Sequence, residues 1–348
     1  MVYELAAFDR HEKVLFYNDV RTGLRAIIAV HSTRLGPAAG GCRMYPYRSE
    51  ADALDDVLRL SRAMTYKNSL AGLKLGGGKA VILGDPRANN ATNRLIEFGK
   101  CVQSLSGLYW TAEDVGVNLA SVEQIAKSTK YVFGTRTGAH ATGDPSMFTA
   151  RGVYEGLRAA VKHRLARDTV AGLRVAVQGV GSVGRELCRL LHQAGVRLIV
   201  ADHDGAAAQA AQREFDAQVV PSDHIYAADA EVFSPCALGG TLNKDTIPRL
   251  IAQVVAGAAN NPLATPEDGA ALSRRGILYA PDFVVNAGGM IHASGEIFGR
   301  YDAEEVEQTI GRIYDTVLEI FVRAQAEGTP PESIALRMAQ ERLSGAAG

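Results

Sequence analysis

Two lysines in one short stretch have the residue type and surroundings for proton chemistry. The stretch is M-T-Y-K-N-S-L-A-G-L-K-L-G-G-G-K, residues 64–79, and it holds Lys67 and Lys79. We predict that Lys67 follows a helix, and that Lys79 ends a triple-glycine run just before the buried strand A-V-I-L. Glycines let the backbone approach a ligand closely, and a crowded lysine can exchange protons once its pKa falls toward ~7–8. The run alone fits an exposed lysine after a flexible loop equally well.

The same run must be compared with a phosphate-binding loop. The Walker pattern requires Gly, four residues, and then Gly-Lys-Ser/Thr. Around Gly78 and Lys79 the required glycine is Leu73 and the required hydroxyl residue is Ala80. Both positions fail, which disfavours a nucleotide-dependent phosphotransferase.

A second stretch has the spacing of a dinucleotide-binding loop. G-V-G-S-V-G at residues 179–184 follows the strand-like L-R-V-A-V-Q and precedes a helix with leucines at helical spacing. Asp202 ends the next strand, 18 positions beyond Gly184. This context is what the fingerprint requires, although the three glycines alone would also fit a plain α/β turn.

The loop predicts how such a cofactor is held. The pyrophosphate would lie on the helix N-terminus, where free N–H groups and the helix dipole favour anions. Asp202 would bond the ribose hydroxyls and repel a 2′-phosphate, so we expect NAD and not NADP. The predicted loop residues are Gly179, Val180, Gly181, Ser182, Val183 and Gly184.

The elements that position these residues predict two α/β domains. In the first half we expect an amphipathic N-terminal helix, a hairpin of 14–17 and 26–30, a Gly-rich loop at 35–44, helices at 50–66 and 92–105, and a strand at 80–83. From 173 onward strands and helices alternate, as in a parallel sheet. Helices follow at 302–326 and from about 331.

We therefore predict a substrate-binding and oligomerisation domain at residues 1–135 and a Rossmann-type, doubly wound NAD-binding domain at 146–327. A hinge at 135–145 and a cleft between the domains complete this prediction. We expect the last helix (about 328–348) to pack back on the first domain.

The totals exclude several classes of protein. With 348 residues, 47% of them hydrophobic and 22% charged, the chain is long enough for two folded domains and unlike a disordered protein. A net charge of −1 gives no general attraction to nucleic acid or an anionic membrane. The N-terminus lacks a signal-peptide core. Four cysteines without CxxC spacing and eight histidines without ligand spacing predict no metal site, and free thiols suit the cytoplasm.

Several stretches together resemble the glutamate/leucine/phenylalanine/valine dehydrogenase family, in particular its branch for apolar amino acids. The resemblance covers nearly the whole chain. The matching stretches are L-G-P-A-A-G-G-C-R-M (35–44), M-T-Y-K-N (64–68), L-G-G-G-K (75–79), T-A-E-D-V-G (111–116), V-Q-G-V-G-S-V-G (177–184), F-S-P-C-A-L-G-G (233–240), A-G-A-A-N-N (256–261) and I-L-Y-A-P-D-F-V-V-N-A-G-G (277–289). The resemblance implies oxidative deamination of an L-amino acid to its 2-oxo acid, with release of ammonia and reduction of NAD.

The resemblance also implies residue roles. Lys67 would bind the substrate carboxylate, with Gly40 and Asn261 on the substrate side, while Lys79 and Asp114 would move protons. The residues it places around the cofactor are Arg43, Thr149, Cys236, Ala237, Asn260 and Asn286. Without it, Asp114 fits an ordinary loop carboxylate or helix cap, Thr149 a hydroxyl at a helix start, and Asn286 the end of a strand.

The resemblance also indicates a substrate class. Glutamate-specific relatives hold the distal carboxylate with a lysine and a serine, where this chain has Ala39 and Ala293, so glutamate is disfavoured. Ala112 and Met290 would complete the pocket. Alanine where leucine-type relatives have larger residues indicates phenylalanine, with leucine, another branched-chain amino acid or tryptophan as the alternative. Met290 is flexible enough to refill part of the space.

Two further expectations concern assembly and activity. The chain ends soon after Arg342, without the longer tail of octameric leucine enzymes, so we expect a homo-oligomer that is a dimer formed through the first domain. A catalytically silent NAD-binding sensor is the non-enzymatic alternative. It predicts loss of Lys67, Lys79 or Asp114, and all three are present.

Overall fold

A computed structural model describes residues 2–135 and 141–345. The chain forms two compact units. The first unit comprises Met1–Asp144, Ala293–Asp302 and Ala339–Gly348, and the second comprises Pro145–His292 and Ala303–Met338. The predicted hinge at 135–145 includes residues 136–140, which lie outside the described residues. The prediction of an α/β chain is confirmed.

The first unit is built on a mixed sheet covered by helices. Its elements are β1 (Lys13–Asp19), β2 (Leu24–Ser32), β3 (Ala38–Ala39), β4 (Cys42–Tyr45), α1 (Glu50–Leu70), β5 (Gly76–Leu83), α2 (Ala91–Ser104), β6 (Tyr109–Trp110) and α3 (Leu119–Ala126). The sheet order is β1-β2-β5-β3-β6, with β4 also paired to β5. The predicted hairpin is confirmed, since β1 and β2 pair antiparallel from Lys13 with Val30 to Asp19 with Leu24.

The predicted N-terminal helix is wrong. Only Val2–Glu4 form a helical turn, of the 3-10 type. The chain beyond it turns through Arg10 at φ +55° and places His11 against α1. The Nδ1 atom of His11 accepts from the Asp9 N–H at 3.2 Å, so its Nε2 donates to Leu58 O at 3.0 Å. This buried tertiary contact replaces local helical hydrogen bonds.

Helix α1 is longer than predicted. It begins at the cap Ser49, whose side chain accepts from the Asp52 N–H at 3.0 Å, and runs to Leu70. Lys67 therefore lies in the last helical turn and does not follow the helix. No glycine or proline interrupts the chain before Gly72, so the helix continues. Asn68 is buried and ties the helix end to β5, because its Nδ2 donates to Gly76 O at 2.6 Å.

The triple-glycine run is part of a strand and not a loop. β5 begins at Gly76, and none of Gly76, Gly77 and Gly78 has a positive φ. A Cβ at Gly77 would lie 2.1 Å from the Thr65 N atom of α1, and one at Gly78 would lie 2.7 Å from the Tyr109 ring. The glycines let a helix and a tyrosine pack directly on the strand. Residues 35–44 were likewise predicted as a loop but contain strands β3 and β4.

The second unit has a parallel sheet between helices. Its strands and helices, in chain order, are α4 (Ser146–Leu165), β7 (Arg174–Gln178), α5 (Ser182–Gln193), β8 (Arg197–Ala201), α6 (Gly205–Phe215), β9 (Gln218–Val219), β10 (Val232–Pro235), β11 (Val254–Val255), α7 (Pro266–Arg274), β12 (Leu278–Tyr279), α8 (Asp282–Val285) and α10 (Ala303–Glu327). The order β12-β11-β10-β7-β8-β9 is the doubly wound arrangement, with its reversal point between β7 and β10. The predicted Rossmann-type fold is confirmed.

Two helices contribute residues to both units. α9 (Gly288–Ile297) carries Met290 in the second unit and Ala293 in the first. α11 (Pro331–Gly345) ends in the first unit, where Arg342 NH1 donates to Ser69 O at 3.1 Å and Leu70 O at 3.0 Å. The last turns of the chain thereby cap the end of α1.

Among the residues described, no helix is both long and apolar enough to cross a membrane.

Candidate active site

A buried ion pair forms the centre of the first unit. Lys79 lies on β5 with 6% of its surface exposed, paired in register with Ala29 of β2. Its Nζ donates to Oδ2 of Asp114, whose side chain is 14% exposed. The structure therefore brings together the two residues predicted to move protons.

The segment of residues 38–44 connects the two partners. Its Gly40, Cys42 and Met44 N–H groups donate to carbonyl oxygens of residues 110, 112 and 115 at 3.1, 2.9 and 2.9 Å. On its other side, β3 and β4 pair with β5. The buried Tyr109 hydroxyl donates to Gly40 O at 2.7 Å and fixes this backbone. Ala39, Gly40 and Ala112 are thus held beside the ion pair.

Glycine at position 41 makes the close approach possible. A Cβ at Gly41 would lie 2.1 Å from Glu113 O and 3.1 Å from the Asp114 Cβ. At Gly40, it would lie 2.0 Å from Gly78 O and 2.9 Å from the Met64 side chain. Neither position has room for a larger residue, so the loop carrying Asp114 packs directly on the backbone.

The charge of Asp114 is stabilised by its neighbours. Burial raises the pKa of this carboxyl, but Lys79 and Arg43 outweigh burial, and the net shift is below the usual value. The Val115 N–H donates to Oδ1 at 2.6 Å and also favours the charged form. A carboxylate therefore persists in a site from which most water is excluded.

Arg43 extends this centre to α1. Its Nε donates to Asp114 Oδ1 at 3.2 Å, and its NH1 donates to Asp56 Oδ2 at 2.8 Å. Asp56 also accepts from the Tyr47 hydroxyl at 2.7 Å and from Arg59 NH2 at 3.1 Å. Sequence reasoning missed Asp56 and Tyr47. Asp56 follows Ala53 by one helical turn on the buried face, and a carboxylate there was the available signal.

Lys67 lies on α1, three residues beyond Met64, and is half-buried. Residues three apart on a helix lie on the same face. Since Met64 contacts the backbone at Gly40, α1 directs Lys67 along the same side as the segment of residues 38–44. The predicted carboxylate anchor is therefore on the helix that borders the ion pair.

The four predicted pocket residues are small or flexible and buried. Ala39 has no exposed surface, Ala293 is 5% exposed, and Ala112 and Met290 are each 9% exposed. Met290 and Ala293 are three residues apart on α9, so one helix face carries both. None of these four side chains carries a charge.

The second unit has its own constellation, built mostly from backbone. Gly179 follows β7 with φ +92°, and a Cβ at Gly184 would lie 2.0 Å from Gly179 O. A Cβ at Gly181 would meet nothing within 4 Å, so the space beside it is open. Gly181 caps α5 without a side-chain hydrogen bond, which leaves the first N–H groups for an anion.

Residues from other strand ends lie around this loop. Asp202 follows β8, its side chain is 7% exposed, and its Oδ2 accepts from the Val180 N–H at 2.7 Å. Cys236 donates its N–H to Gln178 O at 2.7 Å, and Ala237 lies 3.0 Å from where a Gly179 Cβ would be. Ser182 and Val183 begin α5. The structure thus gathers these residues at the reversal point of the sheet, where doubly wound proteins bind ligands.

Asn260 and Asn286 form a pair near the same strand ends. Asn286 Nδ2 donates to Asn260 Oδ1 at 2.9 Å and to Ala258 O at 3.2 Å. Asn286 is 4% exposed, and within the described ranges nothing donates to its Oδ1. A buried acceptor in this state fits an amide donor such as the carboxamide of nicotinamide. Asn286 caps α8, so the alternative that it ends a strand is wrong.

Asn261 and Thr149 have mainly structural contacts in this structure. Asn261 adopts φ +49°, and its N–H donates to Asp282 Oδ2 at 2.8 Å. Thr149 lies in the first turn of α4, where its hydroxyl donates back to Pro145 O at 3.1 Å. The same hydroxyl lies 2.5 Å from where a Gly289 Cβ would be, so it borders the corner between α8 and α9.

The glycine loop, the uncapped start of α5, Asp202 and the free oxygen of Asn286 together fit a dinucleotide. For metals, the part of the chain that the structure describes brings no three His, Cys, Asp or Glu side chains into a possible ligand group. The cysteines described are free thiols, and burial raises the pKa of Cys236 above the usual range.

Comparison with known proteins gives consistent matches over the whole chain. The model of the Glu/Leu/Phe/Val dehydrogenase dimerisation domain matches residues 11–131. The Glutamate/Leucine/Phenylalanine/Valine dehydrogenase model matches residues 142–218 and 200–347. A leucine dehydrogenase of Geobacillus stearothermophilus is 47% identical over 96% of this chain and 90% of the relative.

Two further relatives are named for other amino acids. A valine dehydrogenase of Streptomyces coelicolor is 44% identical over 96% of this chain and 92% of the relative. The crystal structure of L-tryptophan dehydrogenase from Nostoc punctiforme superposes with a TM-score of 0.87 at 42% identity and covers 97% of both chains. The fold therefore matches over nearly the whole chain.

Proposed function

The chain belongs to the Glu/Leu/Phe/Val dehydrogenase family and is an amino acid dehydrogenase, and we propose that it catalyses the NAD-dependent, reversible oxidative deamination of a large apolar L-amino acid. The products are the 2-oxo acid and ammonia. The observation that carries the reaction type is the buried pair of Lys79 and Asp114.

The pair supplies the proton transfers that the reaction requires. When bound, NAD accepts the hydride that leaves Cα of the amino acid. Water then adds to the substrate imine, and the carbinolamine loses ammonia. The Asp114 carboxylate takes a proton from the substrate ammonium before the hydride leaves. Lys79, once it has lost a proton itself, takes one from the attacking water and passes it to the departing nitrogen. As ammonia leaves, the carbinolamine hydroxyl gives its proton to Lys79 and becomes the carbonyl of the 2-oxo acid. Because both side chains are almost buried, these transfers take place in a site with little competing water.

Substrate orientation is assigned to Lys67. Its ammonium pairs with the substrate carboxylate, which directs the Cα toward Lys79. Gly40 contributes backbone on the same side, as the packing of Met64 against it supports. Asn261 completes the substrate side in this proposal.

The pocket supports a large apolar side chain. We expect alanine at 39, 112 and 293, all buried, to accommodate a larger substrate side chain than bulkier residues would, and no charged group stands at these positions for a distal carboxylate. This favours an aromatic amino acid such as phenylalanine or tryptophan. Leucine is the second candidate, because a leucine dehydrogenase is among the most similar relatives at 47% identity. None of the three relatives named above is a phenylalanine dehydrogenase, so phenylalanine is supported by the alanines alone.

NAD is the proposed cofactor because of Asp202. Its carboxylate stands next to the glycine loop, where it accepts ribose hydroxyls and repels a 2′-phosphate. The proposed cofactor contacts also include Thr149, Cys236, Ala237, Asn260 and Asn286. A dimer and a cytoplasmic location stay predictions.

The deciding experiment is an NADH absorbance assay at alkaline pH with leucine, valine, phenylalanine, tryptophan and glutamate. We expect turnover with the apolar amino acids, none with glutamate, and a preference for NAD over NADP. Binding of NADH without turnover on any amino acid would favour the silent sensor. Equal rates with NADP would remove the role of Asp202.

A further inference from the structure

Both ends of the Arg43 guanidinium are occupied by carboxylates within the first unit. Its Nε donates to Asp114 at 3.2 Å and its NH1 to Asp56 at 2.8 Å. We propose that Arg43, itself fixed by Asp56, is a positioning residue that holds Asp114 in its working orientation, and is not primarily a cofactor contact. This inference rests on the proposed function, because it assigns work to Asp114 in that reaction.

The geometry constrains Arg43 from the far side. Asp56 lies on α1 with 9% of its surface exposed, and its Oδ2 accepts from both Arg43 and the Tyr47 hydroxyl. Its Oδ1 accepts from Arg59. A guanidinium is a rigid planar fork, so fixing NH1 also fixes the direction of Nε. Asp56 therefore sets the position from which Arg43 meets Asp114.

The two carboxylate oxygens of Asp114 also have different hydrogen-bond partners. Oδ1 accepts from Arg43 and from the Val115 N–H, whereas Oδ2 accepts from Lys79. With Oδ1 held on one side, the carboxyl group cannot rotate freely, and Oδ2 stays directed at Lys79. A small error in placing a catalytic group has a large effect on rate.

Arg43 also stabilises the charged form of Asp114. The titratable groups facing Asp114 are Lys79 on β5, Arg43 and Cys42 on β4, and Tyr109 on β6. Burial raises the pKa of the Cys42 thiol and of the Tyr109 phenol well above their usual ranges, so both stay neutral. Of these four groups, Lys79 and Arg43 carry the positive charge. Arg43 therefore keeps a permanent positive charge beside the Asp114 carboxylate.

Arg59 provides a matched control. It also donates to Asp56, at 3.1 Å, but its side chain is 57% exposed and, in the part of the chain that the structure describes, forms no hydrogen bond or ion pair with Asp114. Arg43→Ala and Arg59→Ala each remove one guanidinium from Asp56. Only the first removes one from Asp114.

The test measures kcat and KM of both variants, the Kd of NADH by fluorescence, and rescue by ~20 mM guanidinium chloride against equal NaCl. We expect Arg43→Ala to lower kcat by ~10- to 100-fold with NADH affinity unchanged. Guanidinium, which can re-enter the vacated space, should restore kcat several-fold in this variant and leave Arg59→Ala unaffected. Arg43→Lys, which keeps the charge without the fork, should give an intermediate kcat, and it carries the test if Arg43→Ala does not fold.

Three outcomes would overturn the inference: equal kcat for Arg43→Ala and Arg59→Ala, a loss confined to NADH affinity, or failure of both guanidinium and lysine to raise kcat. The wild-type protein in the same assay separates the two proposals. If it turns over no amino acid, the proposed function fails. If it is active and the Arg43 variants behave as Arg59→Ala does, only the positioning role fails.

Discussion

The two units prepare their sites by different physical means. In the first unit, charged side chains are buried and paired, as Lys79 with Asp114 and Arg43 with Asp56. In the second unit, the site around Gly181 is made of main-chain N–H groups, a helix start and open space. Proton transfer requires groups that change charge, whereas holding a diphosphate requires only fixed donors. The first site therefore depends on particular charged side chains, and the second depends on glycines that leave the backbone uncovered.

The largest expected effect tests the first half of this comparison. Lys79→Ala should lower kcat by ~10³- to 10⁴-fold, because it removes the group that we propose transfers the protons. NADH affinity should stay unchanged, since the glycine loop belongs to the second unit. Steady-state kinetics and NADH fluorescence measure the two quantities. Lys74→Ala, at an exposed lysine of the same stretch, is the control, and a rate for Lys79→Ala near that of the control would refute the assignment.

The converse change adds a methyl group in the second unit. In Gly181→Ala the new Cβ meets no protein atom within 4 Å, so the fold should be kept while the methyl occupies the space for pyrophosphate. NADH affinity should fall by ~10- to 100-fold, as for one lost charge-assisted hydrogen bond. Titration with NADH and the melting temperature report binding and folding separately. Gly205→Ala, also at an open helix start, is the matched control; similar NADH affinity in both variants would contradict the prediction.

The buried polar groups of the first unit should also make its folding stability depend on pH. His31 is 8% exposed, and burial, helped by neighbouring His11, lowers its pKa to about 4. The folded state therefore favours the neutral ring, and the stability this provides is present above pH ~6.5 and lost as the pH falls toward 4. We expect the free energy of unfolding to decrease by ~3 kcal/mol over this interval.

Urea unfolding at a series of pH values measures this dependence. His31→Gln should flatten the curve, whereas His224→Gln should not, because His224 in the second unit has a side chain that is 66% exposed. An unchanged acid dependence in His31→Gln would show that other groups set it.

The smallest expected effect concerns substrate choice. Ala293→Val adds two methyl groups in the proposed pocket, and groups of this size change selectivity by ~1–3 kcal/mol. We expect the ratio of kcat/KM for leucine over phenylalanine to rise by about tenfold. Ala51→Val, at an exposed position of α1, should leave the ratio unchanged. A ratio unaffected by Ala293→Val would remove this residue from the pocket.

The sequence was more informative about the second unit than about the first. The glycine spacing, the strand before it and Asp202 are local features with one structural meaning, and the doubly wound sheet follows from regular alternation. Asp56 and Tyr47, in contrast, acquire their role only through contact with Arg43 on another element. Sequence patterns identify functional residues whose role depends on residues nearby in the sequence. They miss residues whose role depends on contacts with distant parts of the chain.

The errors at the N-terminus and in the lysine stretch have the same origin. We predicted an amphipathic helix at the N-terminus, but the chain there places His11 in a buried contact with α1 instead. The glycines before Lys79 were compatible with a flexible loop because the sequence does not show whether other residues pack against a glycine. In the structure they lie in β5, where Gly77 packs against Thr65 and Gly78 against Tyr109.

The crowding of Gly76, Gly77 and Gly78 has a consequence for laboratory evolution. Every missense change of a glycine codon adds at least a Cβ, and at these positions that atom would lie 2.0 to 2.7 Å from existing atoms. A random library over the lysine stretch should therefore yield active clones that keep all three glycines. Diversity is better directed to Ala39, Ala112, Met290 and Ala293. New substrate preferences would then arise without any change in the strand that carries Lys79.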